Sequence, residues 1–206
     1  MGLGVVGGGS LDWRRLRTLS RSRMPAPPGW TAAWGAALVD RAYAAADVPI
    51  VSAPPGRGHT AFDPWRRVIT VSPDPLAPAW QLSWDVWHEV AHSRQPLWWL
   101  RGVSLVSLAA YVLFPLWLVA APLSLAVGGV VLWSTMVVGL ITCLERRADL
   151  AAAPAWGPAL SAWAAALARR RVPAHAFGAF LWTAWIPLMM GWVAHWWWVA
   201  LVLRRV

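Results

Sequence analysis

GVSLVSLAAYVLFPLWLVAAPLSLAVGGVVLWSTMVVGLITCL, residues 102–144, is a stretch of this chain without a single charged side chain. A helix needs about 20 apolar residues to cross a bilayer, so the stretch is long enough for two crossings, and Pro122 marks the break between them. A second uncharged stretch runs from Val172 to Leu203. The sequence therefore predicts three transmembrane helices, at Leu97–Ala121, Leu123–Leu144 and Phe177–Leu203.

The composition agrees with a membrane protein. Hydrophobic residues make up 58% of the 206 residues, more than an ordinary soluble domain uses. Tryptophans stand at the start of the first predicted span (Trp98, Trp99) and near the end of the third (Trp196–Trp198), where indole rings favour the headgroup level. All 18 basic residues are Arg, and the abundance of Arg, Ala, Pro and Trp is typical of high-GC bacteria. We predict an integral protein of a bacterial plasma membrane.

The chain divides into five predicted parts around these spans. Residues 1–29 are a flexible basic tail, in which the Arg cluster follows the apolar stretch, the reverse of a signal peptide. We expect this tail to contact anionic lipid and not nucleic acid. The other parts are a cytosolic unit (30–96), a transmembrane hairpin (97–144), a second cytosolic segment (145–176) and a last transmembrane helix (177–203).

The cytosolic unit mixes short helices and strands. Thr31–Asp47 is Ala-rich and predicts a helix with Thr31 as its N-cap. Val48–Ser52 and Arg67–Ser72 are rich in β-branched residues and predict strands. Pro75–Gln95 predicts a second helix, which Pro96 ends.

The chain uses Glu only twice, and each Glu lies in a motif that suits metal chemistry. HEVAH at residues 88–92 places His88 and His92 on one helix face, where two imidazoles can bind one Zn²⁺. Glu89 lies on the flank of that face, where a carboxylate can act as general base on a water molecule. Cys143 is the only cysteine, which excludes a multi-Cys metal site.

ERRAD at residues 145–149 offers the third ligand. A catalytic zinc site has three protein ligands, and Glu145 is the candidate. Asp149 lies one turn later on the same face, where it can accept a hydrogen bond from a ligating His and fix its tautomer. A transmembrane hairpin returns the chain to the side on which it began, so the two motifs are expected to meet at one membrane face.

The Arg distribution orients the chain. Eleven Arg occur up to Arg101 and five in Glu145–Arg171, but none in the turn between the first two spans. Both Arg-rich regions are therefore expected in the cytoplasm. The third span would then leave Arg204 and Arg205 outside, unless it is tilted or re-entrant near Pro187.

This combination resembles the integral-membrane zinc metallopeptidases of the HtpX and CAAX-prenyl-protease type, which belong to the gluzincins. The family's HExxH, transmembrane hairpin and ExxAD correspond to HEVAH, residues 97–144 and Glu145-Arg146-Arg147-Ala148-Asp149, within roughly Leu38–Ala152. The resemblance implies a mainly α membrane protein with a small α+β, zincin-like cytosolic part. It also implies polypeptide substrates.

The resemblance suggests substrate contacts as well. Thr60-Ala61-Phe62 is similar to the family's N-A-F element, whose edge strand binds substrate by strand addition, although Thr60 stands where the family has Asn. The family's downstream His segment is missing. His175 is the nearby candidate for an oxyanion or substrate contact; the alternative is an interfacial histidine without a special role.

The function expected from these residues is endopeptidase activity at the cytosolic membrane face. Three alternatives stay open: a zinc-site sensor resembling the BlaR/MecR class, a non-catalytic membrane scaffold, and an intramembrane protease of the site-2 type. Glu89 argues against a purely structural metal site, which would need no base. Charged and amide side chains in Pro75–Gln95 argue against the site-2 type, whose HExxH lies inside a transmembrane segment. Oligomeric state does not follow from the sequence.

Overall fold

The computed structural model describes residues 26–53, 60–72, 78–120, 123–181 and 185–203. The predicted basic tail lies outside the described residues, except for its last four. Within the described part, six α-helices, two short 3₁₀ helices and one three-stranded sheet give a mainly helical protein with a small sheet, which confirms that level of the prediction.

The first helix, α1 (Ala32–Ala45), starts where the sequence predicts. The side chain of Thr31 caps it by accepting a hydrogen bond from the backbone N–H of Trp34 at 3.1 Å. A capping hydroxyl satisfies one of the backbone donors that a helix start leaves without a partner. The predicted N-cap is therefore confirmed.

The sheet has the order β1-β3-β2, with β1 at Ile50–Ser52, β2 at Ala61–Asp63 and β3 at Val68–Val71. β1 runs parallel to β3, and β2 runs antiparallel to it. The two strands predicted from β-branched residues are confirmed with shorter bounds. β2, which contains Ala61 and Phe62, lies at an edge of this sheet.

Helix α2 (Ala79–Ser93) carries the HEVAH motif and is packed on two sides. Its Trp80 and Trp84 join one core cluster, and its Val86 and Val90 join a second cluster against the sheet. The other members of the first cluster are Leu38, Trp156, Leu160, Ala164 and Leu167; those of the second are Ala42, Val48, Ile69 and Val71. Apolar packing thus fixes the rotation of α2, which directs its histidines toward the neighbouring helix.

Two long helices follow α2, namely α3 (Leu97–Ala120) and α4 (Leu123–Ala152). They pack against each other. Two segments are long and apolar enough to cross a membrane: Leu97–Phe114 lies within α3, and Gly128–Trp156 begins in α4 and runs past its end at Ala152. Much of their apolar surface faces outward: Leu108 is 62% exposed and Leu132 is 74% exposed.

The predicted end of the second span at Leu144 falls inside α4. The helix continues for eight residues beyond Leu144 because ERRADLAA contains good helix formers and neither Gly nor Pro. It gives way to a 3₁₀ helix (Ala153–Trp156) at Pro154, and a second 3₁₀ helix (Pro158–Leu160) follows. Glu145 and Asp149 therefore lie on a rigid extension of the hairpin.

The third predicted span, Phe177–Leu203, extends over parts of two helices. Helix α5 runs from Ser161 to Phe180, and helix α6 runs from Ile186 to Leu203 and packs along α3. The predicted start at Phe177 falls inside α5, which contains both polar and apolar parts. The apolar segment described in α6, Met189–Leu203, is shorter than either candidate span. Arg204 and Arg205 lie outside the described residues.

Candidate metal centre

His88 and His92 lie one turn apart on α2 and face the same way. Both are buried, with 3% and 7% of their surface exposed. Their Nε2 atoms are 3.1 Å apart. This is the shared helix face that the HEVAH spacing predicts.

Glu145 on α4 meets both rings. Its Oε2 lies 3.1 Å from Nε2 of His88, and its Oε1 lies 3.6 Å from Nε2 of His92. One ligand atom of each residue falls within 4.8 Å of the others, so these three side chains could hold a metal ion. The predicted meeting of the two motifs is confirmed.

The far nitrogen of each ring faces an acceptor. Nδ1 of His88 lies 2.8 Å from Oδ1 of Asp149, although this contact lacks the alignment of a hydrogen bond. Nδ1 of His92 lies 3.1 Å from Oε1 of Gln95. These acceptors favour a proton on Nδ1 in both rings, which leaves the Nε2 lone pairs directed at each other and at Glu145.

Two lone pairs and a carboxylate that converge in this way repel one another unless a cation lies between them. The donor set therefore fits a bound metal ion.

Protons compete for the same atoms. Burial and the Arg171 guanidinium lower the pKa of His88, but the carboxylates of Asp149 and Glu145 beside its ring outweigh them and raise that pKa to about 9. A metal ion bound to Nε2 of His88 would therefore compete with a proton.

Asp149 is fully buried behind His88. Besides His88, it contacts Nη1 of Arg171 at 2.8 Å, Nε1 of Trp84 at 3.3 Å and Nε2 of His175 at 3.2 Å. The buried guanidinium compensates the buried carboxylate, whose ionised form would otherwise be costly. Asp149 thus lies behind His88, the candidate ligand, where the sequence predicts it.

His175 lies against the two carboxylates and not beside the sheet edge. Its Nε2 faces Asp149, and its Nδ1 lies 3.2 Å from Oε2 of Glu145. Its ring stacks on that of His88 with 6.0 Å between centroids. Burial lowers the pKa of His175. Because both ring nitrogens face carboxylate oxygens, the geometry does not favour the predicted oxyanion or substrate contact, which stays a prediction.

Glu89 lies outside the three-ligand group and beside the sheet. Its Oε2 accepts a hydrogen bond from the backbone N–H of Phe62 at 2.8 Å. The expected general base is therefore half-buried between the metal-ligating face of α2 and the edge strand β2.

Of the predicted substrate contacts, Phe62 lies beside Glu89, whereas Thr60 contacts the backbone of Ser72 next to the sheet. The Thr60 hydroxyl lies 3.2 Å from the backbone N and 3.4 Å from the carbonyl of Ser72. Thr60 and Ser72 flank the β2–β3 pair, in which Ala61 stands opposite Thr70. A substrate role for Thr60, Ala61 and Phe62 stays a prediction.

Three residues of the centre are missing from the sequence-based site: Gln95, Arg171 and Trp84. Gln95 carried a usable signal, since it follows His92 by three residues and such neighbours meet on a helix surface. Arg171 closes a run of three Arg that is typical of a solvated face. Trp84 was one of 19 Trp, and nothing in the sequence singles it out.

Comparisons with protein-family models, curated proteins and solved structures found no match for this chain. The resemblance to membrane metallopeptidases therefore rests on the sequence motifs alone.

Proposed function

We propose that this protein is a membrane-bound zinc endopeptidase that cleaves polypeptides at the cytosolic membrane face, as the HtpX and CAAX-prenyl-protease type does. One observation carries the proposal: a His-His-Glu group lies beside a fourth side chain, Glu89, that is not part of the group. A structural zinc site uses all four positions for protein ligands, whereas a catalytic one has three and keeps one open.

The spacing of the ligand atoms supports zinc. Two ligands bound at 2.0–2.1 Å in a tetrahedral site are about 3.3 Å apart. The Nε2 atoms of His88 and His92 are 3.1 Å apart, and the Glu145 oxygens lie 3.1 Å and 3.6 Å from them. Two imidazoles and one carboxylate are also a common catalytic zinc set.

When bound, zinc would polarise the scissile carbonyl and acidify a water molecule in the site. The protein supplies the proton transfers. Glu89 takes a proton as the water oxygen bonds to the carbonyl carbon, and then gives it to the amine nitrogen as the C–N bond breaks. Asp149 keeps the ring of His88 oriented throughout.

Substrate binding follows from the edge position of β2. Phe62 stands opposite Ile69, whose N–H bonds the Pro49 carbonyl on the other side of β3. The N–H of Phe62 points away from β3 and toward Glu89. An extended peptide that adds to this edge would offer a carbonyl to Phe62. That exchange would release the Glu89 carboxylate for proton transfer.

The apolar surface of the hairpin supports a membrane location. Exposed Leu and Val along α3 and α4 would be costly in water and are matched by lipid tails. Arg101, Arg146 and Arg147 lie at the end of the hairpin that carries the metal centre, and the opposite turn contains no Arg. Positive-inside logic then puts the centre on the cytosolic side.

The first test separates base from ligand with two isosteric variants. Glu89→Gln is expected to keep its zinc and to lose casein cleavage by at least about 100-fold, because the proton acceptor is removed. Glu145→Gln should lose both zinc and cleavage. Zinc content is measured on detergent-purified protein, and cleavage by release of soluble peptides. Equal cleavage by the native protein and Glu89→Gln would exclude the proposed mechanism while leaving the metal site in place.

A further inference from the structure

Gln95 links the two elements that carry the metal centre. Its Oε1 lies 3.1 Å from Nδ1 of His92, and its Nε2 donates a hydrogen bond to the Leu144 carbonyl at 3.0 Å. Leu144 is the residue before Glu145. One amide thus touches a metal-ligating ring on α2 and the backbone next to the third ligand on α4.

The local sequence explains why Gln95 reaches both. Helix α2 ends at Ser93, and the backbone N–H of Gln95 bonds the carbonyl of His92 at 3.0 Å, which closes a turn before Pro96. That turn folds the side chain of Gln95 back along the helix end. Residues three apart then meet, which brings the amide to the His92 ring.

The two contacts fix the amide orientation. A backbone carbonyl only accepts hydrogen bonds, so the amide NH₂ must face Leu144, and the amide oxygen must face His92. That oxygen requires a proton on Nδ1 of His92. The lone pair of the ring is then on Nε2, the atom that faces His88 and Glu145.

We propose that Gln95 is a positioning residue of the metal centre, which sets the tautomer of His92 and ties the end of α2 to α4 beside Glu145. The inference rests on the metal site of the proposed function and adds a residue that HExxH and ExxxD do not contain. Outer partners of metal-ligating His typically contribute 10–100-fold to metal affinity. Gln95 differs from such a partner because it also holds the two ligand-bearing helices in register.

Two substitutions separate these contacts. Gln95→Met keeps the length of the side chain and removes both hydrogen bonds. Gln95→Glu keeps an acceptor for Nδ1 of His92 but places an oxygen against the Leu144 carbonyl, so it removes only the tie to α4. The matched control is Gln81→Met, at the Gln inside α2, whose amide bonds Asp85 at 3.3 Å and does not touch His92.

The experiment measures zinc affinity by chelator competition and the visible absorption of Co²⁺-loaded protein, both in detergent and without any cleavage assay. Gln95→Met is expected to bind zinc about 10–100-fold more weakly than native protein and to shift the Co²⁺ bands. The zinc affinity of Gln95→Glu should lie between those of native protein and Gln95→Met. Gln81→Met should bind zinc as tightly as native protein. The thermal midpoint of each variant confirms that it is folded.

Equal zinc affinity and equal Co²⁺ spectra for native protein and Gln95→Met would overturn the positioning role. If Gln95→Met does not fold, an unchanged affinity and spectrum in Gln95→Glu would overturn the tie to α4. Native protein that binds zinc but cleaves nothing would overturn the proposed peptidase and leave Gln95 supported by the affinity series. Native protein that binds no zinc would overturn both.

Discussion

The two histidines of the centre are held from behind in different ways. Behind His88 lies Asp149, a fully buried carboxylate paired with the buried guanidinium of Arg171 at 2.8 Å. Behind His92 lies Gln95, a neutral and half-buried amide. A buried charge that loses its partner is strongly destabilising, whereas the loss of a neutral amide leaves no unpaired charge. We therefore expect the His88 side to tolerate single substitutions poorly and the His92 side to respond in graded steps.

The largest expected effect is on the His88 side, from Asp149→Asn. The substitution leaves the Arg171 guanidinium buried without its closest anion, which typically costs about 3–5 kcal/mol. Asp85, 4.0 Å from Arg171, compensates only in part. In a chain of this size the thermal midpoint should fall by about 10 °C. Thermal unfolding of the detergent-purified variant checks the value. A fall of less than about 2 °C would mean that the charge of Asp149 does not stabilise the fold.

The control for this prediction removes both charges. Arg171→Met alone should lower the thermal midpoint as much as Asp149→Asn does, because it leaves the carboxylate of Asp149 buried without its guanidinium. The double variant should lose much less stability than the sum of the losses in the two single variants, since the effects of substitutions within one ion pair are not additive. A strictly additive loss would mean that Asp149 and Arg171 act independently.

The next effect concerns pH and belongs to the same side. Carboxylates raise the pKa of His88 from its usual 6.5 to about 9, so the folded protein binds this proton more tightly than the unfolded chain does. The resulting stability is fully present below pH 6.5 and is lost as pH rises through about 9. The thermal midpoint of chelator-treated protein should therefore fall between pH 6.5 and 9.5.

Zinc-loaded protein is the control for this pH dependence. A metal ion on Nε2 of His88 takes the place of the proton, so the fall in thermal midpoint over this range should largely disappear. His88→Gln, measured without metal, should also lack it. An identical fall in the native chain and in His88→Gln would assign the pH dependence to other groups.

The sequence predicted the centre better than its surroundings. The imidazole pair follows from helix periodicity, and the position of Glu145 follows from a hairpin that must return to its starting side. Asp149 follows from the same helix face as Glu145. None of these inferences needs a side-chain position that only the folded protein determines.

The residues that escaped prediction depend on long-range packing. Arg171 is buried while its neighbours Arg169 and Arg170 are exposed, because only one side of α5 faces Asp149 across the helix pair. A three-residue strand such as β2 has too short a pattern to be found from periodicity, so only the resemblance placed an edge strand near Phe62. The start of the third span at Phe177 stays a prediction, since Phe177 lies inside α5 and not at a helix boundary.

The smallest expected effect on zinc affinity comes from Trp84→Phe. This substitution removes the neutral hydrogen-bond donor that contacts Asp149 on the His88 side. Phe keeps an aromatic ring in the core cluster beside Trp156 but removes the indole N–H that donates to Asp149 at 3.3 Å. One hydrogen bond to a charged group contributes about 1.5–3 kcal/mol, and this one is at the low end because it is long and Asp149 keeps three other contacts. Trp84 is 1% exposed, so the smaller ring also leaves a cavity, which adds to the loss of stability. Zinc affinity should change less than threefold, since neither nitrogen of His88 loses its partner. Thermal unfolding and chelator competition measure the two quantities. A loss of zinc affinity as large as that expected for Gln95→Met would mean that the two sides of the centre do not differ as their charges indicate.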